Sequence, residues 1–417
     1  MKTIDPNEAI GKIKDGSTIV FPGSCANPAR FYDAFRNRVS EFRKLTVCSG
    51  LSLGDYQFLE KGLGENFHYL TWQASPKIRH LLKAPDRRKI SYVPLRLNAL
   101  EKTIYKGGPI SPDVAVINTS LPQNDGTVNL GISVGSNRHF IEQASIVIAE
   151  MNPLMPITHG LSQIPQESID YAFESDSNLA TYDTGIASER DEKIVDLVLD
   201  LIPEHASIQL GIGAVPDRVL SRLSDIKGSN LFSGMVSQSL IEYIENSKHQ
   251  PTVISGELAG NQTLYNYCHN NDKVSMQPIA VTHNGAELAK IDRFVSINSS
   301  VEIDLGGQSN GETLGPVQIS GPGGSLDYIE AAIQSPGGLS IIALPSTTAD
   351  GKHSKIVSSL SAGGVVTTPR FCVDYVVTEY GVANLRGKSL WERAEELTKI
   401  AHPAFRNDLA KRIGGDS

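Results

Sequence analysis

Two glycine-punctuated turns are the first places in this chain where residue types and spacing could do chemistry. QLGIGAVPD (209–217) sets Gly211 and Gly213 directly after an apolar run and ahead of a helical stretch. Backbone N–H groups and a helix N-terminus would there face an anion or an oxyanion, although tight strand–helix packing uses the same residues. QISGPGGSLDYIEAA (318–332) places Gly321, Gly323 and Gly324 before a helix capped by Ser325, with Asp327 in its acidic first turn. Neither turn fits G-x-G-x-x-G with an acidic residue at dinucleotide spacing, and G-x-x-x-x-G-K-[ST] is absent, so nicotinamide and P-loop chemistry are disfavoured. In a third segment, VTEYGVANLRGKSLWERAEELTKIAHPAFR (377–406), Glu379 stands at the end of a strand, where it is either catalytic or a loop cap. Trp391, Arg393 and His402 read as surface-helix and helix-end residues.

The elements that must position these turns follow from periodicity. STIVFPG (17–23), LTVCSG (45–50), ISYVPL (90–95), PDVAVINTS (112–120) and ASIVIAEMN (144–152) are continuous apolar runs closed by Gly, Pro, Asn or Ser, as for strands covered on both faces. PARFYDAFRNRVSEF (28–42) and SNRHFIEQA (136–144) read as helices between them. The second half repeats the scheme with strands at 206–213, 251–260, 293–307, 339–347 and 373–381. The alternation predicts mostly parallel sheets wrapped by helices. STIVFPGSCANPARFYDAF and ASIQLGIGAVPDRVLSRL share one plan: strand, glycine turn, proline, helix. A polar linker is expected around 175–190, which predicts an N-terminal domain at 1–185 and a C-terminal domain at 186–417.

Composition narrows the function classes. A net charge of −8 argues against a general nucleic-acid or anionic-membrane surface, although KAPDRRK (83–89) is a local basic cluster. The four cysteines, Cys25, Cys48, Cys268 and Cys372, are far apart and form no C-x-x-C, against both a zinc site and a disulfide framework. The polar N-terminus reads as helix rather than a signal peptide, and no apolar run has the length of a membrane span. The expected setting is cytoplasmic, with no metal, no membrane and no nucleic acid.

Seven ordered blocks carry a resemblance: PDVAVINTSLPQNDGTVNLGIS, VIAEMNPLMPITHG, SIQLGIGAVPDRVL, INSSVEIDLGGQ, SGPGGSLDY, IIALPSTTADGKHSKIV and VDYVVTEYGVANLRGKSLWERAEELTKIAHPAFR. Together they resemble the acetyl-CoA hydrolase/transferase family, which includes 4-hydroxybutyrate and acetate CoA-transferases of the class I fold. The resemblance implies an α/β protein with two tandem CoA-transferase-like domains and an active site between them. The C-terminal domain would carry most CoA-binding turns. It implies that Gln209, Gly211, Ile212 and Gly213 belong to the active-site turn. It also implies that Gly321, Gly323 and Gly324 line the thioester and pantetheine path, with Lys352 and Ser354 on a nearby loop. Coenzyme A enters as the acyl-CoA substrate. An acyl-carrier-protein thioester is the other donor to consider, a small molecule is the acceptor, and a homodimer is one expected assembly.

The family's nucleophile is a glutamate in a His-Ser/Thr-Glu-Met segment. Here the register gives Phe232-Ser233-Gly234-Met235, so Gly234 takes the place of that glutamate beside Ser233. Two residues are candidate replacements. Glu257, in VISGELAG, stands where relatives tend to have a large apolar residue, and a carboxylate in a buried strand is costly unless paired or used. Cys25, in PGSCANPA, is a thiol that could accept an acyl group, or else small apolar filling. The first expectation is therefore direct acyl transfer from the thioester to a small acceptor or water, without ping-pong CoA transfer. The alternatives are a true CoA-transferase using Glu257 or Cys25, and a non-catalytic CoA-binding homologue.

Overall fold

The computed structural model describes residues 1–82 and 89–413; residues 83–88 of the basic run KAPDRRK lie outside them. The fold is α/β, and the chain divides into two compact units. The first comprises Met1–Asp183, Gly234–Gln238 and Val253–Thr282, and the second Thr184–Ser233, Ser239–Thr252 and His283–Ser417. The strand Asn230–Ser237 therefore starts in the second unit and ends in the first. Residues 175–188 of the expected linker form neither helix nor strand, and the helix Glu189–Leu199 begins after them behind a Ser188–Asp191 capping box.

Among the described residues the first unit is built on eight parallel strands in the order Lys2–Thr3, Tyr171–Glu174, Ile146–Met151, Val114–Thr119, Thr18–Val20, Leu45–Ser49, Phe67–Thr71, Ile90–Tyr92. All six residues of Val114–Thr119 are buried, as a strand with both faces covered requires. The helix Ala29–Arg38 turns Phe31, Tyr32, Ala34 and Phe35 inward. Phe31 and Phe35 join Phe21, Phe58 and Phe67 in a buried aromatic core, where each large side chain contributes on the order of 1.5–3 kcal/mol. Pro28 offers no side-chain cap, so the first N–H groups of this helix go elsewhere. Glu150, from Ile146–Met151, accepts those of Phe31 at 2.9 Å and Arg30 at 3.3 Å.

From Thr18–Val20 the chain lays down strands on one side, then returns to place Val114–Thr119 on the other. The order of strands thus reverses beside Thr18–Val20, and the crevice outside the strand ends at such a point is where open α/β sheets bind ligands. The second unit repeats the device. Ser207–Leu210 pairs in parallel with the start of Asn230–Ser237 on one side and with Phe294–Asn298 on the other. Leu339–Ala343 and Tyr375–Thr378 continue in parallel, and Gly381–Asn384 closes the edge antiparallel. The turns PGSCANPA and LGIGAVPD, alike in sequence, each leave a strand at such a reversal.

Among the strands that escaped the sequence reading are Phe67–Thr71, Tyr171–Glu174 and Asn230–Ser237. They lack a long apolar run, and parallel neighbours rather than propensity fix them. The expected strand 293–307 splits into Phe294–Asn298 and Glu302–Asp304. The hydroxyl of Ser300 bonds the carbonyls of Glu302 and Asn310, and the second piece pairs with Ser309–Asn310 and Ile356–Val357 in a separate small sheet.

Candidate active site

Two loops leave the strand reversal of the first unit. The loop 21–28 holds Ser24 at φ 56, a strained value for a residue with a side chain. Backbone bonds from Ser24 N–H to Leu51 at 2.6 Å and from Leu53 N–H to Ser24 at 2.9 Å enforce it. Asn118, near the end of Val114–Thr119, donates to the Asn27 carbonyl and ties the two strand ends together. Cys25 follows Ser24 and is fully buried. Burial raises its thiol, while hydrogen bonds with Tyr265, Ser24 and the Gly260 backbone pull it down. That is unlike the exposed, electropositive setting that produces a nucleophilic thiolate.

The second loop runs into residues 132–137, which pair with the strand Val253–Ala259 carrying Glu257. The Leu258 N–H donates to Ile132, and those of Val134 and Gly135 both donate to Gly256. Ser133 and Glu257 form an antiparallel bridge. A Cβ on Gly135 would lie 2.3 Å from Glu257 Oε1, so glycine is what leaves the carboxyl its place. Glu257 keeps a partly accessible edge, yet its Oε2 is buried without a hydrogen-bond partner. Desolvation pushes the carboxyl up to about 8, opposed by a hydrogen bond from the Ser133 hydroxyl. Gly256, the preceding residue, approaches the strand of Gly234: a Cβ there would stand 3.1 Å from the Gly234 carbonyl oxygen. The first unit thus brings Gly234, Glu257 and Cys25 into one neighbourhood, with the Glu257 carboxyl on the strand beside that of Gly234. Gly234 lies within the strand Asn230–Ser237 and does not have a left-handed φ.

The remaining candidates lie in the second unit. Gln209 is buried, and its Oε1 accepts from Ser296 Oγ at 2.7 Å and Asn298 Nδ2 at 3.0 Å. Asn298 Oδ1 would lie 3.3 Å from a Cβ on Gly211, so the turn sits directly over this amide pair. Ile212 is exposed at the tip, and Gly213, at φ 127, precedes the helix Ala214–Arg222. Ser233 is not free for chemistry, because its hydroxyl donates to the Leu210 carbonyl at 2.9 Å. In the SGPGG loop Gly323 has φ 56, and Gly324, rather than Ser325, is the N-cap of Ser325–Gln334. A Cβ on Gly324 would meet His283 Nε2 at 2.2 Å; burial holds this histidine neutral, down to about 3. Lys352 is exposed, and the Ser354 hydroxyl is spent on the Ile356 carbonyl. Glu379 accepts both the N–H and the hydroxyl of Ser346, the loop-capping role.

Ser133, Gly135, Asn137, Tyr265, Asn298 and His283 were not singled out from sequence. The run ISVGSN (132–137) was the available signal, because its serines and glycine let two backbones approach. Among the described residues no three His, Cys, Asp or Glu side chains form a group that could hold a metal, and no helix is long and apolar enough to cross a membrane.

The acetyl-CoA hydrolase/transferase N-terminal domain matches residues 1–181 and the C-terminal domain of the same family residues 260–413, so Gly234 and Glu257 fall between the two matched regions. The chain is 34% identical to 4-hydroxybutyrate coenzyme A transferase of Clostridium kluyveri over 98% of its length and 96% of the relative's. It is 31% identical to butyryl-CoA:acetate CoA-transferase of Anaerostipes caccae, covering 99% and 95%. A crystal structure of RipA from Yersinia pestis superposes with a TM-score of 0.92 at 27% identity, covering 99% of this chain and 96% of that one. With its two α/β units and the sequence match across both, the chain belongs to the acetyl-CoA hydrolase/transferase family and is an enzyme of transferase or hydrolase type.

Proposed function

We propose that this enzyme transfers coenzyme A between an acyl-CoA and a carboxylic acid, with Glu257 as the nucleophile that Gly234 cannot be. The observation that carries the reading is the Glu257 carboxyl: one oxygen is buried without a partner, beside a glycine that makes room for it. Leaving a buried carboxyl oxygen unbonded costs about 1–3 kcal/mol or more, a penalty that a purely structural residue would not need. A carboxylate with one oxygen left bare is also a better nucleophile than a fully solvated one. With the carboxyl near 8, about one molecule in ten carries the reactive anion at neutral pH.

The chemistry splits one exchange into easier steps. A Glu257 oxygen bonds to the thioester carbonyl carbon, the C–S bond breaks, and CoA leaves as thiolate. The products are a mixed glutamyl anhydride and free thiolate. The thiolate then attacks the glutamyl carbonyl carbon and expels the original acid as carboxylate, leaving a glutamyl-CoA thioester. An incoming carboxylate reverses both steps. Acyl-CoA is the candidate donor.

The basicity of Glu257 also favours a second reading, in which it takes a proton from water or another small acceptor that attacks the thioester directly. Trapping separates the two. The protein is incubated with acyl-CoA, treated with borohydride or hydroxylamine, and digested for mass spectrometry. Modification of Glu257, lost in Glu257→Gln together with exchange of labelled acetate into acyl-CoA, supports transfer. Turnover with no adduct on Glu257 favours direct attack, and full exchange by Glu257→Gln sinks both roles.

A further inference from the structure

We propose that Ser133, held by Asn137, is a positioning residue that aims and orients the Glu257 carboxylate. The inference rests on the reading of Glu257 as the reactive group and adds the device that sets its orientation and charge.

Ser133 and Asn137 are both fully buried. The Asn137 amide donates to the Ser133 carbonyl at 2.8 Å and to Ser133 Oγ at 3.1 Å. A hydroxyl that accepts from Asn137 has its own proton turned away from that amide, and the side chain across the antiparallel bridge is Glu257. The backbone locks the pair in register, because Val134 and Gly135 donate to Gly256 at 3.0 and 3.1 Å while Leu258 donates to Ile132 at 2.8 Å. The arrangement is not free: Asn137 Oδ1 is buried without a partner. Alanine at position 137 would remove that orphan but would leave the Ser133 carbonyl and hydroxyl without the amide that donates to both.

The Ser133 hydroxyl is the one influence that lowers the Glu257 carboxyl against its desolvation. The titratable groups toward Glu257 are the Cys25 thiol, within Coulombic reach, and behind it the Tyr265 hydroxyl. The segments 132–137, 234–237, 274–276 and 279–282 bring none. With no cation in this set, a neutral hydroxyl is what offsets burial. A hydrogen bond from one hydroxyl also leaves the second carboxyl oxygen bare, whereas a lysine or arginine would tie the anion up.

The test is the full-length Ser133→Ala enzyme, with Ser133→Thr as the conservative control and Asn137→Ala to release the hydroxyl. Two readouts are taken. The first is kcat/KM for CoA exchange against pH. The second is the protonation of Glu257, followed by infrared difference spectra of glutamate-labelled protein, with Glu257→Gln identifying the band. In Ser133→Ala the carboxyl should titrate about one pH unit higher. kcat/KM should fall five- to tenfold at neutral pH and recover above about pH 9; Asn137→Ala should shift the same way by less, and Ser133→Thr should stay near wild type. A pH-independent loss, or an infrared titration that does not move, overturns the proposal. If Glu257→Gln keeps full exchange, the nucleophile reading fails, while the infrared shift still reports on the Ser133 device.

Discussion

Glu257→Gln should stabilise the protein while removing its transfer activity, and the gain should depend on pH in a defined sense. The folded carboxyl lies near 8 against an ordinary value of 4.5. Between those values the folded state holds a proton that the unfolded state has released, so wild-type stability falls as pH rises from about 4.5 to about 8 and is level above. Glutamine mimics the protonated acid and does not titrate. The difference, 3.5 units at about 1.4 kcal/mol each, sets an upper limit near 5 kcal/mol. Part of the side chain is accessible, and water entering there reduces the penalty, so roughly 2 kcal/mol is the working figure. For a unit of this size that corresponds to about 4–8 °C in Tm at pH 8.5. The assay is thermal unfolding of wild type and variant by circular dichroism, stepped from pH 4.5 to 8.5. The two curves should meet near pH 4.5 and separate upward. Parallel curves, or a variant less stable than wild type at pH 8.5, would refute the desolvated carboxyl.

Three further outcomes are expected. Gly135→Ala places a methyl 2.3 Å from Glu257 Oε1; the flexible carboxyl can shift away, so the variant should fold but lose about a hundredfold in kcat at little changed KM, read by steady-state exchange kinetics. Cys25→Ser should keep kcat/KM within about threefold, and iodoacetamide should label Cys25 slowly in the native protein, because burial raises the thiol. His283→Gln should flatten the loss of stability on acidification: the folded imidazole is held neutral down to about 3, so wild type loses this group's contribution as pH falls below about 6.5, which unfolding between pH 7 and 4 will show.

The α/β class, the strand-forming runs and the glycine turns were legible in the sequence because each is a local matter. An apolar run such as VAVINT is buried on both faces whatever its neighbours are, and a turn such as LGIGAVPD carries its geometry in its own glycines. Even the likeness between PGSCANPA and LGIGAVPD could be read, since both follow a strand and precede a helix. The sequence also marked Gly234 and Glu257 as anomalies, one a missing carboxylate and one a carboxylate out of place, 23 positions apart along the chain. What it could not say is that the two positions lie on neighbouring strands. Strand order decides that, because the residues flanking a position in a parallel sheet come from remote stretches of chain and their pairing leaves no local signal. The same holds for Ser133, Gly135 and Asn137, whose small polar side chains read as an ordinary loop. Only their pairing with Val253–Ala259 gives Ser133 a carboxyl to bond, Gly135 a reason to lack a side chain, and Glu257 an environment dry enough to raise its basicity.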